Sequence, residues 1–157
     1  MDLLGYVTLD EANVYIAAHY LEADPLRVQW EDLDDADRSA LLRKSFQTIE
    51  LLPFTGRKTD CEQANMFPRW PDTEVPEAVK QAQIENALSY GDSESVEDQK
   101  YYDKLWKYGV SSYSIGNLSE KISSGSYGAG IGAQKTGVAS PIATRLLQPY
   151  VGGGYRI

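Results

Sequence analysis

The chain is poor in the residues that most often carry chemistry: among 157 residues there is one cysteine, Cys61, and one histidine, His19. A single cysteine excludes an internal disulfide and any multi-cysteine zinc site. Cys–His nucleophilic catalysis would need Cys61 and His19 to meet, and nothing in their spacing brings them together. His19, near the end of a helical pattern and without a second histidine, reads as a packing or capping residue. No apolar run approaches the roughly 20 residues of a membrane span. The start, Met1-Asp2-Leu3-Leu4, carries no basic region of signal-peptide type, so synthesis in a reducing cytoplasm is the expectation. No metal or cofactor is expected, and the chain does not read as an enzyme.

Cations are scarce too. Fifteen Lys and Arg face 23 Asp and Glu, a net charge of −8, unlike the basic face of a generic nucleic-acid binder. Residues 1–40 hold ten acids against Arg27 and Arg38 and so carry the whole excess, while residues 41–157 balance. Residues 105–157 contain five cations and only Glu120. An acidic front and a mildly basic tail would help set register in a head-to-tail assembly, although a solvated acidic face explains the same excess.

Gly128-Ala129-Gly130-Ile131-Gly132-Ala133-Gln134-Lys135-Thr136 imitates a phosphate-binding loop, but Gln134 stands where glycine must precede the lysine. The dinucleotide spacing fails as well. The sequon Asn117-Leu118-Ser119 has no meaning without a secretory context.

What is present is mostly helical. Thr8-Leu9-Asp10-Glu11 forms a capping box, and Ala12, Tyr15, Ile16 and Tyr20 follow at helical spacing, which predicts a helix over residues 9–20. Residues 21–31 read as a connector through Pro25 to Trp30. Asp32 or Asp34 then caps a second helix whose stripe of Ala36, Ala40, Leu41, Leu42, Phe46, Ile49 and Leu52 makes it the expected spine of the core. A third helix runs from Pro76-Glu77-Ala78 to Gly91, with Ala78, Val79, Ala82, Ala87 and Leu88 as its packing face and Gln81, Gln83, Glu85 and Asn86 opposite. Ser140-Pro141 opens a fourth, with Ile142, Leu146, Leu147 and Tyr150 on one side.

Between the second and third helices lies the most unusual stretch, residues 56–71. Three cations, two acids, two aromatics and two prolines occur there without helix or strand periodicity. Pro68 and Pro71 stiffen it. Residues 92–139 differ again: Tyr101, Tyr102, Trp106 and Tyr108 are interleaved with Lys100, Lys104 and Lys107, short strands flank Gly116-Asn117, and Ser123 onward is rich in Gly and Ser. Such an arm builds no core and is expected to be ordered by neighbours. The expected fold is thus mainly α: a small bundle of about four helices (1–91), an extended and partly β arm between helices three and four (92–139), then a C-terminal helix and tail (140–157). Tyr155-Arg156-Ile157 after three glycines reads either as a frayed terminus or as a docking peptide, an anchor on a glycine hinge.

Three segments together carry a resemblance. Tyr6-Val7-Thr8-Leu9-Asp10-Glu11-Ala12-Asn13, then Gly56-Arg57-Lys58-Thr59-Asp60 with Gln63-Ala64 and Phe67-Pro68-Arg69, then Pro76-Glu77-Ala78-Val79, resemble tailed-phage head-to-tail adaptor (connector) proteins, some of which are labelled DnaT-like single-stranded DNA-binding proteins. Cys61 departs from the proline usual there, and Met66-Phe67 from a Leu-x-Trp-like step. The match covers residues 6–90, and residues 92–139 hold no matching motif.

The resemblance implies a virion neck protein that forms a homo-oligomeric ring, commonly of twelve copies. The ring would join the portal protein to a tail-side protein around double-stranded DNA that passes through without specific binding, and no membrane is involved. On this reading Arg57, Lys58, Asp60, Arg69 and Trp70 serve ring contacts, Tyr155, Arg156 and Ile157 dock on the portal, and Tyr101, Tyr102, Trp106 and Tyr108 make the arm's contacts. The alternative is single-stranded DNA binding, with those arm aromatics as stacking platforms and Lys100, Lys104 and Lys107 on phosphates.

Overall fold

The computed structural model describes residues 2–92, 101, 112–115, 118–121 and 138–152. Five α-helices are present among them: α1 (Leu9–His19), α2 (Pro25–Asp32), α3 (Asp35–Glu50), α4 (Glu77–Gly91) and α5 (Pro141–Leu147), the last continued by a 3-10 turn, Gln148–Tyr150. The fold is a helical bundle, as expected. Among the described residues the strands are one antiparallel pair, β1 (Ser112–Ile115) and β2 (Leu118–Lys121), with Ser112 opposite Lys121 and Ile115 opposite Leu118. That pair lies where the sequence placed strands around Gly116-Asn117.

Local chemistry explains the starts of the helices. Glu11 N donates to Thr8 Oγ1 (3.2 Å) and Thr8 N to Glu11 Oε2 (2.7 Å), which closes the capping box of α1. Asp34, rather than Asp32, caps α3 through Asp37 N (2.8 Å). Ser140 caps α5 through Ala143 N (3.2 Å), with Pro141 in the first turn.

The stretch expected as a connector is instead α2. Asp24 Oδ1 accepts from Leu26 N (2.9 Å) and Pro25 opens the helix, the same cap-plus-proline pattern that announces α5. Trp30 is buried and donates its indole N–H to Asn13 on α1 (2.9 Å). Arg38 of α3 donates to the carbonyls of Trp30 (2.9 Å) and Glu31 (2.8 Å), supplying partners to the end of α2.

A second difference concerns the centre of the bundle. α4, not α3, is the spine: every residue from Ala82 to Ser89 is buried, and α4 packs against α1, α2, α3 and α5. Gln83, Glu85 and Asn86, expected on a solvent face, lie inside. Their burial is tolerable because each makes at least one hydrogen bond, Asn86 through its Oδ1 while its buried Nδ2 has no partner among the described residues. Gln83 Nε2 donates to the carbonyls of Leu4 (2.8 Å) and Leu42 (2.9 Å), while its Oε1 accepts from Tyr6 N (3.0 Å). Glu85 accepts from the hydroxyls of Tyr15 (2.8 Å) and Tyr20 (2.5 Å). Asn86 Oδ1 accepts from Ala139 N (2.8 Å), which ties the approach to α5 onto α4.

Two apolar clusters flank this helix. One joins Ile16, Trp30 and Leu42 to Ile84, Ala87 and Leu88. The other joins Ile49, Phe67 and Leu147 to Val79 and Ala82, with Ala143 and Val151 alongside. α3 contributes Leu42, Ser45 and Ile49, whereas Ala36 and Ala40 of its expected stripe are exposed. On α5, Ala143 and Leu147 face inward and Ile142 is half exposed. Gly5, at φ 117°, lets the N-terminal segment lie directly on the Phe46 ring, where a Cβ would meet carbon at 2.5 Å.

Candidate functional site

The 56–71 loop is a braced platform. Its two arms pair as an antiparallel bridge, Lys58 with Arg69. Trp70 N donates to Arg57 O (3.0 Å) and Thr59 N to Pro68 O (3.1 Å). Inside the tip, Gln63 Nε2 donates to the carbonyls of Asn65 and Pro68 (both 2.9 Å), and its Oε1 accepts from Asp60 N (3.0 Å). Asp60 Oδ1 accepts from Glu62 N (2.9 Å), an Asx-type turn.

The cations divide by role. Arg69 is buried and donates to three carbonyls of its own loop, those of Thr55 (2.7 Å), Gly56 (2.5 Å) and Met66 (3.2 Å). It clamps the loop from within, so its guanidinium is not on offer to a neighbour. Lys58 Nζ is likewise directed to its own chain, at the carbonyls of Gln63 (3.2 Å) and Ala64 (3.4 Å). Arg57 is different. It is exposed, and its guanidinium carbon stands 5.0 Å from the centroid of the Trp70 ring, itself 59 % exposed. Asp60 is exposed at the tip beside Cys61 and Glu62.

The platform is fastened to the bundle by residues that the sequence reading did not single out. Glu50 accepts from Met66 N (2.9 Å) and from the hydroxyl of Tyr6, whose oxygen in turn accepts from Phe67 N (3.1 Å). Burial, then the hydrogen bond to Glu50, pushes the Tyr6 hydroxyl far above its ordinary value. Phe67 sits at the junction, its ring edge-on to those of Tyr6, Phe54 and Tyr150. One signal was available: Glu50 lies in the last turn of α3, where an acid opposes the helix dipole and so has a role elsewhere.

The C-terminal segment joins the same platform. Phe54 and Val151 form an antiparallel bridge, Thr55 N donates to Tyr150 O (2.8 Å), and Gly152 N donates to Pro53 O (2.8 Å). The tail residues Tyr155, Arg156 and Ile157 lie outside the described residues, but the chain enters them from Gly152, at the foot of the loop. Tyr101 is exposed, at 48 %. Tyr102, Trp106 and Tyr108 lie outside the described residues, as do Lys100, Lys104 and Lys107.

The charge distribution has a structural counterpart. Residues 1–92 hold eighteen acids against eight cations, a balance of −10. Of those cations Arg69, Lys58 and Arg38 are drawn onto backbone carbonyls, and Arg27 is paired with Glu31 at 2.7 Å. Lys44 lies 4.4 Å from the Tyr90 ring centroid. The helical core therefore offers no basic track to a phosphate backbone. Nor do the described residues bring three or more His, Cys, Asp or Glu into a metal-binding group. His19 stacks on Tyr15, with ring centroids 4.0 Å apart, and its Nδ1 is 2.8 Å from Tyr15 O. No helix among the described residues is long and apolar enough to cross a membrane.

No curated protein and no solved structure matches the chain. Over residues 4–157, nearly its whole length, it matches the family described as "Putative DnaT-like ssDNA binding protein", and it belongs to that family.

Proposed function

We propose that the chain is a structural subunit of a tailed-phage neck, a ring-forming adaptor that joins the portal to the tail around the DNA channel. The observation that carries the reading is the pairing of Arg57 with Trp70: an arginine and an exposed indole, held out on a loop braced from within by Arg69, Gln63 and Glu50. Arginine and tryptophan dominate interface hot spots, and a rigid support removes the ordering cost of using them. The sequence resemblance over residues 6–90 points the same way. An acidic core suits a lumen that passes duplex DNA without holding it. Ring contacts would be heterologous, with this loop against a different face of the next copy. The tail leaving Gly152 then reaches the portal, and the arm beyond residue 108 the tail-side protein.

Light scattering on the purified protein, alone and with portal, tests this. A multimer that Arg57→Ala with Trp70→Ala reduces to monomer, with helical circular dichroism unchanged, supports the ring. A monomer at about 100 µM that does not bind portal refutes it.

The family description favours a second reading, single-stranded DNA binding. The core leaves that task to the arm, where Tyr102, Trp106 and Tyr108 alternate with lysines. Three lysine–phosphate contacts give a slope of log K against log salt of about −2. Binding of a labelled oligonucleotide with that slope, lost in Trp106→Ala, would establish this reading, and no binding at low salt removes it.

A further inference from the structure

An open groove of about 360 Å³ runs between α1 and α4, on a part of the surface that the 56–71 loop does not line. Its floor is apolar. Val7 and Ile84 are core residues, Tyr15 turns its hydroxyl away to Glu85, and Val14 stands 69 % exposed at the lip. Lone exposed valines are ordinary, but this one borders a concave apolar surface. The rim is charged: Asp10, Glu11 and Glu77 against Lys80. The volume is at the low end of small-molecule sites, roughly 300–1,000 Å³, yet the groove is open and its charged groups stand on the rim rather than enclosing a ligand. It suits one or two large side chains from a chain segment whose cations meet the acidic rim.

The chain itself contains such a segment. Tyr102-Asp103-Lys104-Leu105-Trp106-Lys107-Tyr108 lies outside the described residues and combines four large apolar or aromatic side chains with two lysines and one acid. The exposed cation of the 56–71 loop, Arg57, is already stacked on Trp70. We infer that the α1–α4 groove is the seat for residues 102–108 of an adjacent copy, with aromatics over Val14 and Ile84 and Lys104 and Lys107 toward Asp10, Glu11 and Glu77. This rests on the ring reading and gives it a second, separate contact: the platform binds at one place and the arm at another. A subunit that contributes an arm to its neighbour and receives one in its own groove forms a head-to-tail contact, which closes into a ring when the rotation allows.

The test uses the full-length protein with a photo-crosslinking benzoylphenylalanine in place of Val14, an exposed site that accommodates it. Irradiation is expected to give a product of two chain masses, with the crosslink mapping to residues 102–108. Glu77→Lys should weaken self-association about tenfold, and adding Lys104→Glu with Lys107→Glu should restore it. A crosslink within one chain, a crosslink to another segment, no crosslink, or a charge swap that fails to restore association each overturns the inference. If the protein assembles without the crosslink, the groove claim alone falls. If it does not assemble at all, the ring reading falls with it.

Discussion

Replacing Gln83 by leucine should cost about 3 kcal/mol of folding stability. The side chain is fully buried and makes three hydrogen bonds to three places in the chain: Leu4 O, Tyr6 N and Leu42 O. They are not equivalent. Leu42 O lies within α3 and keeps its helical donor, so its second bond is lost cheaply. Leu4 O and Tyr6 N lose the partners that Gln83 gave them, and each buried orphan costs about 1–3 kcal/mol. Leucine returns about 1–2 kcal/mol through better burial of its apolar surface. The net is about 3 kcal/mol, equivalent to a fall of about 6–12 °C in Tm for a chain of this size. Urea denaturation followed by helical circular dichroism measures it directly. Gln47→Leu, on an exposed position of α3, serves as control and should stay within about 0.5 kcal/mol. Gln83→Glu should be worse than leucine at neutral pH, because it buries an unpaired carboxylate against the carbonyl oxygens of Leu4 and Leu42. A Gln83→Leu protein within about 1 kcal/mol of wild type would refute the view that this amide joins the N-terminal segment to α3 and α4.

Arg69→Lys should loosen the loop while leaving the bundle folded, since an ammonium cannot reach the carbonyls of Thr55, Gly56 and Met66 in the fork geometry of a guanidinium. Amide exchange at Thr59 and Trp70 should accelerate about 30-fold or more, corresponding to about 2 kcal/mol, whereas α4 amides should be unaffected; equal acceleration in both would refute a local clamp. Alkaline pH should destabilise the protein through its tyrosines. Burial first, then the hydrogen bond to Glu85, raises the Tyr15 and Tyr20 hydroxyls well above the ordinary 10.0. A folded value above the unfolded one means that this stability is fully present below about pH 10 and is lost as pH rises toward the folded values. Urea midpoints should therefore fall between about pH 9.5 and 11.5, and less steeply in Tyr15→Phe with Tyr20→Phe; midpoints that stay level or rise would contradict the assignment.

Much of the bundle was legible because its signals are local. The Thr8–Glu11 box, the Ser140-Pro141 start and the Gly91 end are short-range chemistry, and each element lies where those residues put it. α2 was missed although Asp24-Pro25 carries the same cap-plus-proline signal as Ser140-Pro141. Its eight residues mix charged and apolar types too closely for a stripe to show. The burial of Gln83, Glu85 and Asn86 was illegible for a different reason. A polar residue reads as solvent-facing unless its partners are known, and these partners are 41 to 79 residues away for Gln83, 65 and 70 for Glu85, and 53 for Asn86. The loop divided likewise. Its composition marked it as special, but composition could not tell Arg69, the internal clamp, from Arg57, the exposed cation, because the carbonyls that Arg69 grips, those of Thr55, Gly56 and Met66, carry no side-chain signal.

The polar centre of α4 explains how a small core can serve a chain with long appendages. Apolar packing is non-directional and tolerates slippage between helices, especially along a surface of alanines such as Ala82 and Ala87. Hydrogen bonds are directional. Successive helical residues turn by about 100°, so Gln83, Glu85 and Asn86 point in three different directions from one turn of α4. They engage the N-terminal segment with α3, the end of α1, and the approach to α5 in turn. Each neighbour is thereby set in register against one helix without help from the arm or the tail. On the ring reading proposed above, that independence would let the bundle, and the loop pinned to it by Glu50 and Tyr6, keep its shape as subunits assemble. If the core instead depended on a partner to fold, Arg57 and Trp70 would not be pre-positioned, and the cost of ordering them would fall on every contact they make.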